Sequence, residues 1–306
     1  MSEPIVYLNG EFVPASQAKL NVYDLGIVIG ATMAEMTRTF AHRPFRLDDH
    51  IARLCRSCKY AGFELPLSPD EMRTKTLELI ETNCGLLAPG EDLGVVHFIT
   101  AGENAVYAGS AAASVRLTPT VCIHSFPLPL HLWQHLFTTG AHVVTPATRH
   151  VPPQCVDPKT KNRSRIHWWI ADQQTHAVDP DAISLLLDLD GNITECGGSN
   201  FVILNGQTVY SPTSRNILPG VSLATVRDLA PQLGLEWVEK DLQVYDVVNA
   251  DEAWLPTTPY CLAPCTKING TPVGDGKPGP LFGQMLEAWS ELVGIDIMKQ
   301  IMETRP

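Results

Sequence analysis

The basic segment from Asp157 to Arg165, with the sequence DPKTKNRSR, contains two lysines, Lys159 and Lys161. A lysine acts as a nucleophile only when its amine is neutral, which requires burial or neighbouring positive charges. This cluster of cations meets the second condition, and it precedes a stretch that we predict to be helical, His167–Ala171. Taken alone, the segment is more typical of a solvated basic surface.

A second segment, Gly191–Phe201, places one carboxylate, Glu195, among small residues in the sequence GNITECGGSNF. Small residues let a flat ring approach the backbone closely, and a carboxylate at such a place can hold a proton on a ring nitrogen. The alternative is a polar turn with a surface carboxylate.

Two further segments are suited to binding a phosphate. Gly220 and Ser222 lie in ILPGVS, which leads into a predicted helix, and the N–H groups of a helix N-terminus bind anions. We expect Ser222 to cap this helix. Arg53, in HIARL, can make a bidentate contact to a phosphate. In isolation these segments are also typical of an ordinary capped helix and a surface salt bridge.

In their order and spacing the four segments resemble the class IV aminotransferases, also called fold-type IV enzymes of pyridoxal 5′-phosphate (PLP). This family includes branched-chain aminotransferases, D-amino-acid aminotransferases and aminodeoxychorismate lyases. The resemblance runs from Asp24 to Thr258, nearly the whole chain.

The resemblance implies that Lys161 forms the Schiff base with PLP. The family lysine begins a helix and has an alanine ten positions later, as Lys161 has Ala171. Lys159 does not fit this spacing and is the second choice. His50 and Arg53 correspond to the family's histidine–arginine pair, in which the arginine binds the cofactor phosphate.

The remaining cofactor residues follow from the same resemblance. Thr194-Glu195 through Asn200-Phe201 matches the family's acidic stretch, so Glu195 is expected to pair with the ring nitrogen. Val221 and Ser222 in LPGVS, and Thr258 after the ADE of residues 250–252, are expected to bind the phosphate.

Three departures concern the substrate pocket, which the resemblance implies is lined by Ala34, Arg38, Ala101 and Thr257. D-amino-acid aminotransferases carry a carboxylate-binding arginine where this chain has Ala101. Many relatives have an aromatic residue where Ala34 stands, so extra room is expected there. Pro259 follows Thr258 and lacks an N–H, which removes a carboxylate donor used by branched-chain enzymes.

Branched-chain specificity is therefore in doubt, and Arg38 is a candidate replacement cation, although a strand-edge charge is an equal alternative. The leading function is PLP-dependent transfer of an amino group between an amino-acid-like donor and a keto acid. A lyase of the aminodeoxychorismate type and a non-catalytic relative are the alternatives. The family commonly forms its active site at a dimer interface, so the resemblance implies a homodimer.

Bulk properties exclude several other classes of protein. The chain has 22 basic and 33 acidic residues, hence a net charge of −11, and no basic patch of the kind that binds nucleic acid. It lacks an apolar run of about 20 residues for a membrane helix, and it shows no signal peptide, so cytoplasmic placement is expected. Cys55 and Cys58 form a CxxC without a second ligand pair. We predict buried free thiols and no metal site.

Elements of both types must position these residues, so we predict an α+β, two-domain, fold-type IV architecture. Asn9-Gly10 indicates a hairpin turn, and Ser68 before Pro69 indicates a helix N-terminus. The two prolines in Pro127–Pro129 favour a connector. The predicted limits are an N-terminal α+β domain at 1–126, a connector at 127–137 and a larger C-terminal domain with the PLP lysine at 138–306. Strands are predicted at residues 5–8, 12–13, 33–40, 93–100, 141–144, 182–189, 201–204 and 208–210, and helices at 47–62, 68–83, 224–233 and 281–293.

Overall fold

The computed structural model of the chain describes residues 3–104, 106–107, 109 and 117–305. They fall into two compact units. The first consists of residues 1–128 together with 160–164, and the second of residues 129–159 together with 165–306. The segment 160–164 therefore packs with the first unit, although it lies within the sequence of the second.

Among its described residues, the first unit has six strands and three α-helices. The strands form one antiparallel sheet in the order β2-β1-β6-β5-β3-β4. The elements are β1 (Ile5–Leu8), β2 (Glu11–Pro14), α1 (Leu25–Val28), β3 (Thr32–Phe40), β4 (Arg43–Pro44), α2 (Leu47–Tyr60), α3 (Pro69–Cys84), β5 (Leu93–Thr100) and β6 (Val121–Pro127).

The side chains of β3 alternate between the two faces of the sheet, and α2 and α3 pack on one of these faces. Met33 lies on the face that packs against α2 and α3, where Leu54, Met72 and Ile99 form the core with it. The residues between, such as Ala34, lie on the opposite face, because successive side chains of a strand point to opposite sides. Ala34 is paired across the strands with Phe98 of β5.

The described part of the second unit contains a mixed sheet of nine strands. The order is β12-β11-β10-β13-β14-β7-β8-β9, with β15 paired to β14. The elements are α4 (Gln134–Thr138), β7 (Ala141–Val144), α5 (Ile166–His176), β8 (Ile183–Leu187), β9 (Ile193–Cys196), β10 (Val202–Asn205), β11 (Thr208–Ser211), α6 (Val221–Leu229), β12 (Glu236–Glu239), α7 (Val244–Val248), β13 (Glu252–Thr257), β14 (Cys261–Ile268), β15 (Thr271–Pro272), α8 (Pro280–Val293) and α9 (Ile297–Glu303). Two sheets with helices packed on them confirm the α+β prediction.

Two predictions from local sequence signals, a hairpin turn and a helix N-terminus, are confirmed. Asn9 and Gly10 take positive φ values of 50° and 107° in the turn between β1 and β2, as a tight hairpin requires. Ser68 and Glu71 form a reciprocal capping box at the start of α3, each satisfying a backbone N–H of the other.

The helix predicted at His167–Ala171 is confirmed as part of α5, but two expectations about helix starts were wrong. The helix begins at Ile166 and not at Lys161, as the resemblance had implied, because Lys161 and Arg163 bond to β3 instead. Helix α6 begins at Val221, with Gly220 as its N-cap and no side-chain cap, so Ser222 does not cap it. After Leu229 the chain continues as a 3₁₀ turn to Leu233.

The eight cysteines are free, as predicted, but not all are buried: Cys155 is exposed and Cys55 is half-buried. In the ranges that the structure describes, none of the helices has the length and apolar character needed to cross a bilayer. Within the same ranges, no group of three or more His, Cys, Asp or Glu side chains is arranged to hold a metal ion.

Candidate active site

Lys161 is fixed by its backbone along the edge of β3. The N–H of Ala34 donates to the Lys161 carbonyl at 2.9 Å, and the N–H of Arg163 donates to the Thr32 carbonyl at 2.9 Å. The Lys161 N–H itself donates to Ser57 Oγ on α2 at 3.2 Å. The two backbone bonds to β3 form an antiparallel bridge between Met33 and Asn162, and together with the Ser57 bond they give the lysine a defined position in the first unit.

Lys159 has a different setting. Its side chain is 54% exposed, and its Nζ lies 3.3 Å from Asp157 Oδ2. Lys161 is half-buried. The exposed ion pair of Lys159 is typical of a solvated surface, as the alternative interpretation of this segment proposed for it.

A buried cluster of three ionisable side chains lies near Lys161. Glu35 of β3 accepts hydrogen bonds from Arg53 Nε at 2.7 Å and Arg53 Nη2 at 2.8 Å, and it lies 2.8 Å from His50 Nδ1. All three are almost completely removed from solvent. The predicted alternative for Arg53, a surface salt bridge, is therefore wrong in one respect, because the pair is buried.

The electrostatics of this cluster favour an ionised Glu35. Burial alone would raise its pKa, but the Arg53 charge and the hydrogen bonds from His50 and Arg53 outweigh burial, so the pKa lies well below its ordinary value. Burial lowers the pKa of His50; the Glu35 contact opposes this, whereas the charges of Arg53 and Lys161 reinforce it. Arg53 is thus oriented by a fixed carboxylate.

In the second unit, Glu195 of β9 is also held in place. Its Oε2 accepts hydrogen bonds from Asn200 Nδ2 at 3.0 Å and from the Leu218 N–H at 3.1 Å. His150 Nε2 lies 3.5 Å from the other oxygen, Oε1. The carboxylate is half-buried and oriented, which suits a partner for a ring nitrogen better than an ordinary surface carboxylate.

Asn200 connects Glu195 to the start of α6. Its Nδ2 donates also to the Leu218 carbonyl at 2.9 Å, and a Cβ on Gly220 would collide with Asn200 Oδ1. A larger residue at position 220 would therefore displace the Asn200 amide. The N-terminus of α6, with Val221 and Ser222 in its first turn, has no side-chain cap, which is the arrangement that binds an anion.

Hydrogen bonds connect the end of β13, at Thr257, to the stretch from Gly198 to Asn200 that follows Glu195. Its Oγ1 donates to the Gly198 carbonyl at 2.6 Å, and the Asn200 N–H donates to the Pro256 carbonyl at 3.0 Å. Thr258 follows in a turn and is half-buried. The structure thus brings the Glu195 stretch, the start of α6 and the threonine pair together within the second unit.

Three of the residues expected to line the substrate pocket, Ala34, Arg38 and Ala101, lie in the first unit. Ala34 is buried on β3, and Ala101 follows β5, its N–H donating to the Ala31 carbonyl. Arg38 is 1% exposed, with its guanidinium 3.9 Å from the centre of the Phe40 ring and Nε bonded to the Thr39 carbonyl. It is therefore a buried charge on β3 rather than a solvated one.

Sequence reasoning missed three residues of these networks, namely Glu35, His150 and Asn200. Apart from Arg38, the other residues of β3 are apolar or β-branched, and an acidic residue in such a strand was the available signal for Glu35, because it is buried only with a partner. No sequence signal identified His150. Asn200 was part of the acidic motif but had been given no role.

The chain is similar to known proteins over most of its length. The family model described as Amino-transferase class IV matches residues 32–268. A protein of Methanocaldococcus jannaschii, provisionally named a branched-chain-amino-acid aminotransferase, is 28% identical over 290 residues, 94% of this chain and 96% of that one. D-alanine aminotransferase of Bacillus licheniformis is 28% identical over 277 residues, 90% of this chain and 92% of that one. The chain covers only 50% of a longer branched-chain-aminotransferase-like protein of Arabidopsis thaliana.

Solved structures show the same fold. The branched-chain amino acid aminotransferase of Escherichia coli superposes with a TM-score of 0.86 at 22% identity, over 95% of each chain. The holo form of the branched-chain aminotransferase of Thermobaculum terrenum, which contains PLP, superposes with a TM-score of 0.81 at 22% identity, over 96% of this chain and 95% of that one.

Proposed function

This chain belongs to the class IV aminotransferase family, and we propose that Lys161 is the residue that binds its cofactor, PLP. The enzyme transfers an amino group between an amino acid and a keto acid. One observation carries the assignment of the lysine: the backbone of Lys161 is locked to β3 and α2, whereas Lys159 is exposed in an ion pair.

The residues of the first unit fit a phosphorylated aldehyde cofactor. Arg53 presents a planar guanidinium whose orientation is set by Glu35, and a guanidinium of fixed orientation binds a phosphate bidentately. When bound, the cofactor supplies an electron sink for the bond that breaks at the substrate α-carbon. The Nζ of Lys161 would take the proton that this carbon loses and return it to the product.

The residues of the second unit, taken by themselves, are suited to a ring nitrogen and to a phosphate. We assign Glu195 to the ring nitrogen, because Asn200 and the Leu218 N–H hold its carboxylate in one orientation. We assign the phosphate to the N–H groups of Val221 and Ser222, which lie in the uncapped first turn of α6, and to Thr258. Ala34, Arg38 and Ala101 of the first unit remain proposed substrate contacts, and so does Thr257 of the second unit.

Chemical trapping tests the lysine assignment directly. Borohydride reduction of the purified enzyme should leave one PLP adduct, and peptide mapping by mass spectrometry should find it on Lys161. Lys161→Gln should abolish both the adduct and the visible absorbance band, whereas the matched variant Lys159→Gln should keep both. An adduct on Lys159, or an unchanged adduct in Lys161→Gln, would overturn the assignment.

A second variant tests the ring partner. Glu195→Gln should retain PLP but slow proton abstraction by orders of magnitude, because an amide does not stabilise a protonated ring as a carboxylate does, and each 1.4 kcal/mol is about tenfold in rate. Glu287→Gln, at an exposed position of α8, is the control. A fully active Glu195→Gln enzyme would remove Glu195 from this role.

We further propose a homodimer. Helix α5 exposes Ile166, Trp169 and Ile170, which at this spacing share one face, and they are 68%, 63% and 44% exposed. An apolar helix face of this kind is typical of a protein interface. Sedimentation equilibrium should give twice the chain mass, and Trp169→Glu should shift the equilibrium towards monomer. A monomer at micromolar concentration would exclude the proposal.

Two proposals concern the whole chain. The free state of its eight cysteines is consistent with a reducing compartment, which supports cytoplasmic localisation. The domain limits 1–126 and 138–306, joined by 127–137, also remain proposals. Limited proteolysis, with cleavage expected within 127–137, tests the limits, and fractionation of the source cell tests the localisation.

A further inference from the structure

Two positions that could have bound the carboxylate of a substrate do not serve in this chain. Ala101 stands where related D-amino-acid enzymes have an arginine, and Pro259 has no N–H to donate. The guanidinium of Arg38 is already engaged, stacked on Phe40 and bonded to the Thr39 carbonyl, so a more exposed cation is the better partner for a substrate carboxylate. An amino-acid substrate nevertheless needs a counter-charge for its carboxylate.

Arg163 lies at a suitable place. It is opposite Thr32 in the pairing of residues 160–164 with β3, since its N–H donates to the Thr32 carbonyl at 2.9 Å. Thr32 is in turn paired with Thr100, the residue before Ala101. Neighbouring strands are about 4.8 Å apart, so Arg163 lies about 10 Å from Thr100, within reach of a long side chain.

The guanidinium of Arg163 extends over the face of the sheet that carries Ala34 and Phe98. Its central carbon is 5.9 Å from the centre of the Phe98 ring. Phe98 is the cross-strand partner of Ala34, whose N–H bonds to the Lys161 carbonyl. Lys161 and Arg163 are two residues apart, so their Cα atoms are separated by about 7 Å at most.

The charge of Arg163 is available to a ligand. The residue is exposed, and no carboxylate in the described ranges forms an ion pair with it. Loss of water around the guanidinium lowers the pKa of Arg163, which the nearby Cys122 thiol opposes. Burial also lowers the pKa of the neighbouring His124, and the charge of Arg163 lowers it further. A bound anion would relieve an unbalanced positive charge here.

We infer that Arg163 binds the α-carboxylate of the amino donor and thereby determines specificity, with its guanidinium stacked over Phe98. This deepens the proposed function and rests on Lys161 as the reacting lysine. The α-carboxylate is one bond from the reacting carbon. Because Lys161 and Arg163 are close together, Arg163 is better placed to bind the α-carboxylate than a carboxylate at the far end of the substrate. Arg163 forms no bond to the reacting atom, so it is a specificity residue.

The test compares Arg163→Gln and Arg163→Lys with the control Arg73→Gln, which removes an exposed cation of the same unit. Titration calorimetry of the holoenzyme with 4-methylpentanoate, a carboxylate without an amino group, measures binding without turnover. Arg163→Gln should bind this anion at least tenfold more weakly. Its KM for amino-acid donors should rise by a similar factor, with kcat changed less than threefold. Arg163→Lys should fall between, because an ammonium keeps the charge but not the bidentate geometry. The control should match the wild type.

Several outcomes separate this inference from the proposed function. If the wild type transfers amino groups and Arg163→Gln binds 4-methylpentanoate normally, the inference is wrong and the function stands. If only donors with a second, distal carboxylate are affected, the assignment to the α-carboxylate is wrong. If the wild-type holoenzyme transfers no amino group from any amino acid, the proposed function itself fails. Thermal unfolding of each variant identifies a change caused by loss of the fold, and an Arg163→Lys enzyme with wild-type folding but Gln-like binding would contradict a charge-based role.

Discussion

Glu35 on β3 binds Arg53 on α2 through both carboxylate oxygens, at 2.7 Å to Nε and 2.8 Å to Nη2. Strand and helix are thereby joined by a buried ion pair in the first unit, next to the segment that carries Lys161. Because both charges are removed from water, each depends on the other, and loss of one partner leaves an uncompensated buried charge.

Glu35→Gln should therefore lower the free energy of unfolding by about 3–5 kcal/mol at pH 7, the range found when one member of a buried pair is removed. Urea unfolding followed by circular dichroism measures the change. Glu78→Gln is the matched control, because Glu78 pairs with Lys75 on the exposed surface of α3 and should change stability little. Equal stability of the two variants would show that the Glu35–Arg53 ion pair does not stabilise the packing of α2 on β3.

The stability of the fold should also fall in mild acid because of His97. This residue is fully buried on β5, with Nε2 2.7 Å from Thr76 Oγ1, and burial lowers its pKa to about 4. A histidine whose pKa is depressed on folding stabilises the fold above its unfolded pKa of 6.5, and this contribution is lost as the pH falls from 6.5 towards 4. At pH 5 the loss is on the order of 1–2 kcal/mol.

The measurement is the difference between urea midpoints at pH 7 and pH 5. In His97→Gln this difference should shrink, because the amide can still bond Thr76 but does not titrate. His176→Gln, at an exposed position of α5, should behave as the wild type. The same pH difference in His97→Gln and the wild type would mean that other groups, such as the buried His50, dominate the acid response.

Gly220 offers a steric test of the network around Glu195. Its φ of −62° is accessible to any residue, so Gly220→Ala should act through the contact of the new Cβ with Asn200 alone. Displacing Asn200 loosens Glu195 and the start of α6 together. Overpacking of this kind costs about 1–3 kcal/mol. Titration of the apoenzyme with PLP should show weaker binding. Gly283→Ala, at a helical glycine with open space around its Cβ position, is the control and should bind PLP normally.

The sequence was most informative where the determining interactions are local. Asn9-Gly10 and the Ser68 cap act within four residues, so the turn and the helix start could be predicted. The segment at Lys161 could not, because its conformation depends on Ala34, more than a hundred residues earlier in the chain. Lys161 and Arg163 bond to β3, so this segment does not form the first turn of the helix.

The same distinction applies to the candidate site. A motif could single out Glu195 and Arg53, but the partners that orient them come from other elements. Glu35 becomes a partner of Arg53 only because α2 packs on the face of β3 that carries it, and His150 approaches Glu195 from a loop without a distinctive pattern.

The last prediction concerns the size of the preferred donor. Ala34 is opposite Phe98, which lines a cavity of about 250 Å³ whose other walls include the apolar Val6, Leu8 and Leu20. A methyl group at position 34 fills less of this face of the sheet than an aromatic ring would, so a small substrate would be packed poorly there. We therefore expect kcat/KM for leucine, isoleucine and valine to be lower than for aromatic or larger donors. Ala34→Phe should reverse the order by refilling the space, whereas Ala61→Phe, at an exposed position after α2, should not. A wild-type enzyme that prefers the three branched-chain substrates by a wide margin would show that Ala34 and Pro259 do not widen or weaken the pocket, and branched-chain specificity would then be the better assignment.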